Sequence, residues 1–168
     1  MNQVFKGRFT ANIQEPFVVF LIGMRINSIF AIRKWLPVAS AMGPMVAALN
    51  KYPEKGYLGG YALVGLRGPT MVQYWRSFEE LEHFARNPGD AHLAAWKRFN
   101  QAAGKEVGVW HETFQVNPGQ YEAVYINMPR HGLASAAEHL PASGHMHTAR
   151  GRLNGSPGAE LLMVKESK

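Results

Sequence analysis

The stretch Thr70-Met71-Val72-Gln73-Tyr74-Trp75-Arg76-Ser77-Phe78-Glu79-Glu80-Leu81 decides the fold. Its first part is β-branched and aromatic, which suits a strand. Its second part is a capping box. Ser77 stands at the N-cap and Glu80 three residues on, so the chain passes from strand to helix with almost no connection. Phe78, Leu81 and Ala85 are then expected to face inward. Upstream, Gly56–Leu66 reads as a strand joined to Thr70–Arg76 by a turn at Arg67-Gly68-Pro69, a β-hairpin signal. Further upstream, Ile32 to Asn50 has helical spacing, with Trp35, Leu36, Ala39, Met42, Val46 and Leu49 as its stripe. Pro37 falls near the first turn, where proline is tolerated. Gly43-Pro44 predicts a kink or a break. Pro16–Ile26 is apolar on both parities and reads as a strand covered on both faces.

Downstream, Asn87-Pro88-Gly89 breaks the helix, and Asp90 caps a second run to about Ala103, stopped by Gly104. Val107–Val116 alternates as a strand, and Asn117-Pro118-Gly119 turns the chain. Tyr121–Met128 reads as a further strand and Ala134–His139 as a short helix. The order is β-α-β-β-α-β with an extra strand. That is the split βαβ plan, an α+β class with a ferredoxin-like sheet. Such a sheet carries helices on one face. Its other face is also apolar here and must be covered, so a twofold homodimer forming an α+β barrel is expected.

Composition bounds the chemistry. The chain has 168 residues, 46% apolar and 18% charged, which fits one globular domain. Residues 1–141 are expected to form it, with 1–15 as an N-terminal arm and 142–168 as a flexible tail rich in Gly, Ser, Pro and His, mobile or wrapped on a partner. There is no cysteine, which excludes disulfides, thiolate metal sites and cysteine nucleophiles. The first fifteen residues are polar and mixed, unlike a secretory signal. The longest apolar run, Pro16 to Met24, is far short of the roughly 20 residues that span a bilayer. A cytoplasmic protein with no membrane partner is the expectation. The formal charge is +6, yet Arg33 with Lys34, Lys97 with Arg98, and Arg150 with Arg152 are only short pairs. No basic stripe interleaved with aromatics marks a nucleic-acid surface, and none is expected.

Three polar groupings could carry chemistry. His92 shares a helical face with Ala95, Trp96 and Phe99, and a histidine heading an aromatic face either ligates a haem iron or fills a polar corner. In Trp110-His111-Glu112, alternation puts His111 with Val109 and Thr113, and Trp110 with Glu112 on the other face. A His111 on the sheet face opposite the helices would suit acid–base work; the plain alternative is a cross-strand hydrogen bond to Gln73. In Asn127-Met128-Pro129-Arg130-His131-Gly132, Arg130 and His131 could clamp a phosphate or a propionate. Arg25 ends an apolar strand, and a buried guanidinium there needs an anionic partner. P-loop, nucleophile-elbow and His-Glu-x-x-His motifs are not found.

Tyr74-Trp75-Arg76-Ser77-Phe78-Glu79-Glu80-Leu81-Glu82, Asp90-Ala91-His92-Leu93, Trp110-His111-Glu112-Thr113 and Tyr125-Ile126-Asn127-Met128-Pro129 resemble a bacterial family of uncharacterised, monooxygenase-like proteins. The segment Trp75–Leu133 is more distantly similar to the second half of the haem-containing aldoxime dehydratases, which are dimeric α+β barrel proteins with two ferredoxin-like halves in one chain. That resemblance implies haem as cofactor, with His92 as the iron ligand and His111 as the distal proton-transfer residue; Trp96, Phe99 and Trp110 are then expected to shape or back the pocket. Tyr125-Ile126-Asn127 matches a later element of that family, so Asn127 and Arg130 join the cofactor-binding set. The family's catalytic serine and arginine lie in its first half; Ser28 and Arg25 take those roles by position alone. This chain is about half as long, so the other half-barrel would come from a second copy. Three functions follow as expectations: a haem enzyme with lyase or monooxygenase-like chemistry on a small organic molecule, a cofactor-free monooxygenase with His111 as base and a cavity lined by Trp75, His111 and Tyr125, or a non-catalytic small-ligand module with structural histidines.

Overall fold

The computed structural model describes residues 3–87, 99 and 104–154. The expected helix from Asp90 to about Ala103, and with it His92 and Trp96, falls outside the described residues apart from Phe99. The chain divides into two compact units, residues 19–114, and residues 1–18 with 115–168.

The central unit holds the sequence-derived plan. Strand β2 (Phe17–Ile26) enters it, followed by α1 (Ile32–Lys51), β3 (Tyr57–Gly65), β4 (Gly68–Trp75), α2 (Phe78–Arg86) and β5 (Val107–Val116). The four strands lie in the order β3-β4-β2-β5, so β2 sits inside and β5 at an edge. This is the ferredoxin-like order that a split βαβ chain requires. β3 and β4 form a long antiparallel hairpin with Tyr57 opposite Trp75 and Gly65 opposite Gly68. α2 starts as its capping box predicts: Ser77 Oγ accepts the Glu80 N–H at 3.2 Å. The Glu80 carboxylate turns instead to Arg76, with Nε at 3.0 Å. Leu81 and Phe84 are the buried residues of α2, while Phe78 is exposed.

The predicted break at Gly43-Pro44 does not occur. α1 runs unbroken through Pro37 and Pro44. Tertiary packing outweighs the local cost of proline here, because Met45 and Leu49, just beyond Pro44, are buried against the sheet. The buried face of α1 therefore differs from the expected stripe, and Leu36 is exposed.

The extra strand is also placed differently. β6 is shorter than expected (Tyr125–Met128) and lies outside the four-stranded sheet. It pairs with β1 (Phe5–Asn12), and β1 pairs with β7 (Glu138–Pro141), both antiparallel, in the order β6-β1-β7. Residues 121–124 are held by side chains rather than by a ladder. Thr10 Oγ1 donates to Ala123 O at 2.9 Å, and the Tyr121 hydroxyl bridges the backbone of Ile13. The N-terminal arm is thus the middle strand of a second sheet. After α3 (Leu133–Ala136) and β7 comes a 3-10 turn (Gly144–His147) and α4 (Ala149–Asn154). There Arg152 pairs with Glu122 and donates to the carbonyls of Met146 and His147. Composition alone had placed this region in the tail.

Candidate functional site

The two faces of the four-stranded sheet are told apart by what they touch. On one face, Phe20 and Ile22 of β2 and Gln73 and Trp75 of β4 meet Met45 and Leu49 of α1 and Leu81, Phe84 and Ala85 of α2. They enclose a cavity of about 30 Å³, room for a water rather than for a substrate. Trp75 is 0% exposed, and its Nε1–H donates to Gln73 Oε1 at 3.0 Å. The buried amide and the buried indole thus satisfy one another. Gln73 is committed to Trp75 and not to His111.

Contacts from β2 to β5 fix which residues share the far face. The Asn27 N–H donates to Glu106 O at 2.9 Å, Gly108 lies beside Arg25, and Gly23 lies under the Trp110 ring. These pairs run in opposite directions along the two strands, so β2 and β5 are antiparallel, with Gly23, Arg25, Trp110 and Glu112 on the far face. A Cβ on Gly23 would stand 2.8 Å from the indole of Trp110. Glycine is required there because a ring occupies the space of a side chain. By the hairpin register, Tyr61, Val72 and Tyr74 share this face. It offers an aromatic and aliphatic floor with one cation, Arg25, and one carboxylate, Glu112. That chemistry suits a flat apolar molecule with a polar edge.

His111 is on the other side. Its ring lies 5.6 Å from Phe20, tilted by 41°, and Phe20 lines the helix side. The expectation that His111 looks away from the helices is therefore corrected. Alternation was read correctly, but alternation alone does not say which parity meets the helices. His111 is exposed, on an edge strand, and no hydrogen bond ties its ring to another described residue. An imidazole so placed can reach a ligand from the helix side.

The remaining candidates are dispersed. Arg25 is exposed and needs no buried anion. Ser28 is half-buried in the turn after β2, its N–H donating to Glu106 O at 3.2 Å. Phe99 is helical and half-buried. Asn127 and Arg130 belong to the unit of residues 1–18 and 115–168 and already have structural tasks. Asn127 adopts φ 52°, and its Oδ1 accepts the Gly7 N–H at 2.8 Å. The Arg130 guanidinium sits 5.7 Å over the Phe5 ring. Trp75 is too deeply buried to line an open cavity, and the Tyr125 hydroxyl is engaged by the Ala134 N–H at 3.2 Å. The same unit as Asn127 and Arg130 holds a grouping that no local sequence pattern marks. His139 stacks on Phe9 at 4.5 Å and meets Phe5 edge-on at 4.9 Å. Its Nε2 is enclosed with no hydrogen-bond partner among the described residues. Enclosure, with Arg130 adding like charge, pushes its pKa below the ordinary histidine value.

Comparison with known proteins adds the following. The family model described as monooxygenase af470-like matches residues 17–133. Monooxygenase af470 of Aspergillus fumigatus is 29% identical over 149 residues, covering 76% of this chain and 53% of its own length. The chain thus spans about half of the curated relative it matches. An aldoxime dehydratase, solved in complex with butyraldoxime, superposes with a TM-score of 0.66 at 15% identity, over 81% of this chain and 43% of that one. A cofactor-independent oxygenase from Streptomyces nogalater gives a TM-score of 0.44 at 13% identity, over 60% of this chain and 93% of that one. At these identities the first likeness is one of fold.

Proposed function

This chain belongs to the monooxygenase af470-like family, and from that premise we propose that it is an enzyme that oxygenates a small, electron-rich organic molecule, with His111 as the proton-transfer residue. The observation that carries this is the placement of His111, exposed on an edge strand beside Phe20 with no hydrogen bond to another described residue. A hydroxyarene would lose a proton to the imidazole, and its anion would pass electrons to dioxygen. One oxygen atom stays on the ring and the other leaves as water, so that RH2 + O2 gives RO + H2O. Positioned general-base chemistry of this kind contributes about 10²–10⁴-fold. Oxygen uptake with a panel of hydroxyarenes is the test. His111→Ala should lose most of the turnover while keeping the wild-type melting temperature, and full turnover in that variant would overturn the reading.

The helix-side position of His111 also favours a second reading, in which haem is bound on that side. His92 would hold the iron and His111 would place or move a proton at the substrate, with Trp96 and Phe99 against the ring. Haem would supply an iron centre able to take a substrate nitrogen or oxygen atom, as the aldoxime dehydratase resemblance implies. Of this set, His111 and Phe99 are among the described residues, and both are apt in type; Asn127 and Arg130 have the structural tasks given above. Arg25 lies on the far face, away from His111, and Ser28 would act with His111 only if the substrate reaches the end of β2. Titration with haemin separates the two readings. A Soret band that is lost in His92→Ala supports the second, and unchanged free-haemin absorption removes it.

In either reading a second copy of the chain covers the far face of the sheet. Trp110, Leu63 and Phe114 are exposed there on alternating positions of edge strands β5 and β3. Burial of apolar area gains about 25 cal/mol per Å². Light scattering should give twice the 18.7 kDa chain mass, and a folded monomer at that mass would remove the barrel.

A further inference from the structure

One end of the four-stranded sheet displays apolar side chains that the proposed reaction does not use. The chain leaves β2 there, beside the β3–β4 hairpin turn. The Ile26 N–H donates to Arg67 O at 2.6 Å, and the Arg67 guanidinium reaches Ile26 O at 3.4 Å. Two tips result. The first is Ile29-Phe30, with Phe30 95% exposed, continuing into exposed Ile32 and Leu36 one turn apart on α1. The second is the hairpin tip, where Val64 and Leu66 are almost fully exposed. The first tip is ordered by its own bonds. Trp35 Nε1–H donates to Ile29 O at 3.0 Å, and the Ala31 N–H donates to Ser28 O at 3.3 Å. Phe30 is thus presented on a bonded turn. Isolated exposed apolar residues are ordinary, but large ones gathered on two adjacent loops mark an interaction surface.

The charge around these tips selects the partner. Between Glu15 and Glu79 the chain has one acidic residue, Glu54, and seven basic ones. Of these, Arg33 and Lys34 follow the first tip and Arg67 follows the second, and all three are exposed. We infer that this end of the molecule docks on an anionic lipid surface. Phe30 and Leu66 enter the boundary between headgroups and acyl chains, and Arg33, Lys34 and Arg67 meet the lipid phosphates. A second copy of the chain is disfavoured because it would bring these cations against their own counterparts. The expectation of no membrane partner rested on span length. No helix among the described residues is long and apolar enough to cross a membrane, but a docked tip needs no span.

The test is cosedimentation of the full chain with vesicles. Binding is expected to mixed phosphatidylglycerol and phosphatidylcholine vesicles, to weaken as salt rises, and to be much weaker on phosphatidylcholine alone. Soluble phosphate at matched ionic strength should not release the protein. Phe30→Ser with Leu66→Ser should bind about tenfold more weakly or worse, with an unchanged circular dichroism spectrum and melting temperature. Arg33→Gln with Lys34→Gln should flatten the salt dependence. Phe30→Trp should blue-shift its emission on the mixed vesicles. Failure of the folded wild type to bind those vesicles would overturn the inference, as would equal binding by the serine variant. A fall in oligomeric mass in the serine variant, without lipid binding by the wild type, would assign the tips to a second copy instead.

Discussion

Trp75 and Trp110 lie in one sheet on opposite faces, and they do different work. Trp75 is 0% exposed, with its indole N–H bonded to Gln73 inside the helix-side core. Trp110 is 38% exposed and rests on Gly23, a position kept empty for it. The first ring is surrounded and can only hold the fold. The second is supported from below and presented above, which is how a sheet offers a face to a second copy of the chain. The lesson is that the same residue type, on the same scaffold, becomes structural or available according to what backs it.

The sharpest way to break this contrast is to remove each ring. Trp75→Ala should cost about 3–5 kcal/mol in urea unfolding, as deletion of a fully buried aromatic does. Trp110→Ala should cost distinctly less, and an equal cost would erase the difference between the faces. A closer probe is Gly23→Ala, whose added methyl meets the indole at 2.8 Å. It should destabilise by about 1–3 kcal/mol. Most of that should vanish in the double variant Gly23→Ala with Trp110→Ala, and a fully additive pair would show that the ring does not press on Gly23. On the helix side, Ser77→Ala removes the acceptor for the Glu80 N–H and should cost about 1 kcal/mol, with Ser77→Asn near neutral.

The smallest effect is expected away from the sheet, at His139, where the contrast between a backed and a presented ring is tested by pH. Its pKa is lowered in the folded protein, so below about pH 6.5 the unfolded chain takes up a proton that the folded one resists. The stability contribution is complete above that value and is lost as pH falls through the folded pKa. Melting temperatures of wild type and His139→Phe should converge above pH 6.5 in their pH dependence, with the wild type falling faster below it. Parallel profiles would show that Nε2 is not in fact enclosed.

Much of the fold was legible because its signals are local. The Ser77–Glu80 box, the turn signal beside Arg67 (the turn itself is Leu66-Arg67, with Gly68 and Pro69 already in β4) and the alternation of Val107–Val116 each need only a few neighbouring residues to specify an element. The second sheet was not legible. β1 pairs with residues 125–128 and 138–141, and nothing within the first fifteen residues announces partners so remote. Pro44 misled because a proline penalty is local while the burial that overrides it is not. Among the candidate residues, the type and strand of His111 are legible, but its side of the sheet depends on which parity the helices cover. The Gly23–Trp110 pair was missed although its signal was present, a glycine inside an otherwise apolar strand.

The pairing of β1 has a consequence for how the protein is born. Phe5 faces Met128 and Phe9 faces Pro141, so β1 waits for partners made more than a hundred residues later. At about 5–20 residues per second, that wait is on the order of ten seconds. The β3–β4 hairpin, closed by a turn of two residues between its strands, can form while synthesis continues. An unpaired strand bearing Phe5 and Phe9 is during that interval a template for joining other nascent chains. Slow translation or a missing C-terminus should therefore be felt first as aggregation through β1, before any loss in the central sheet.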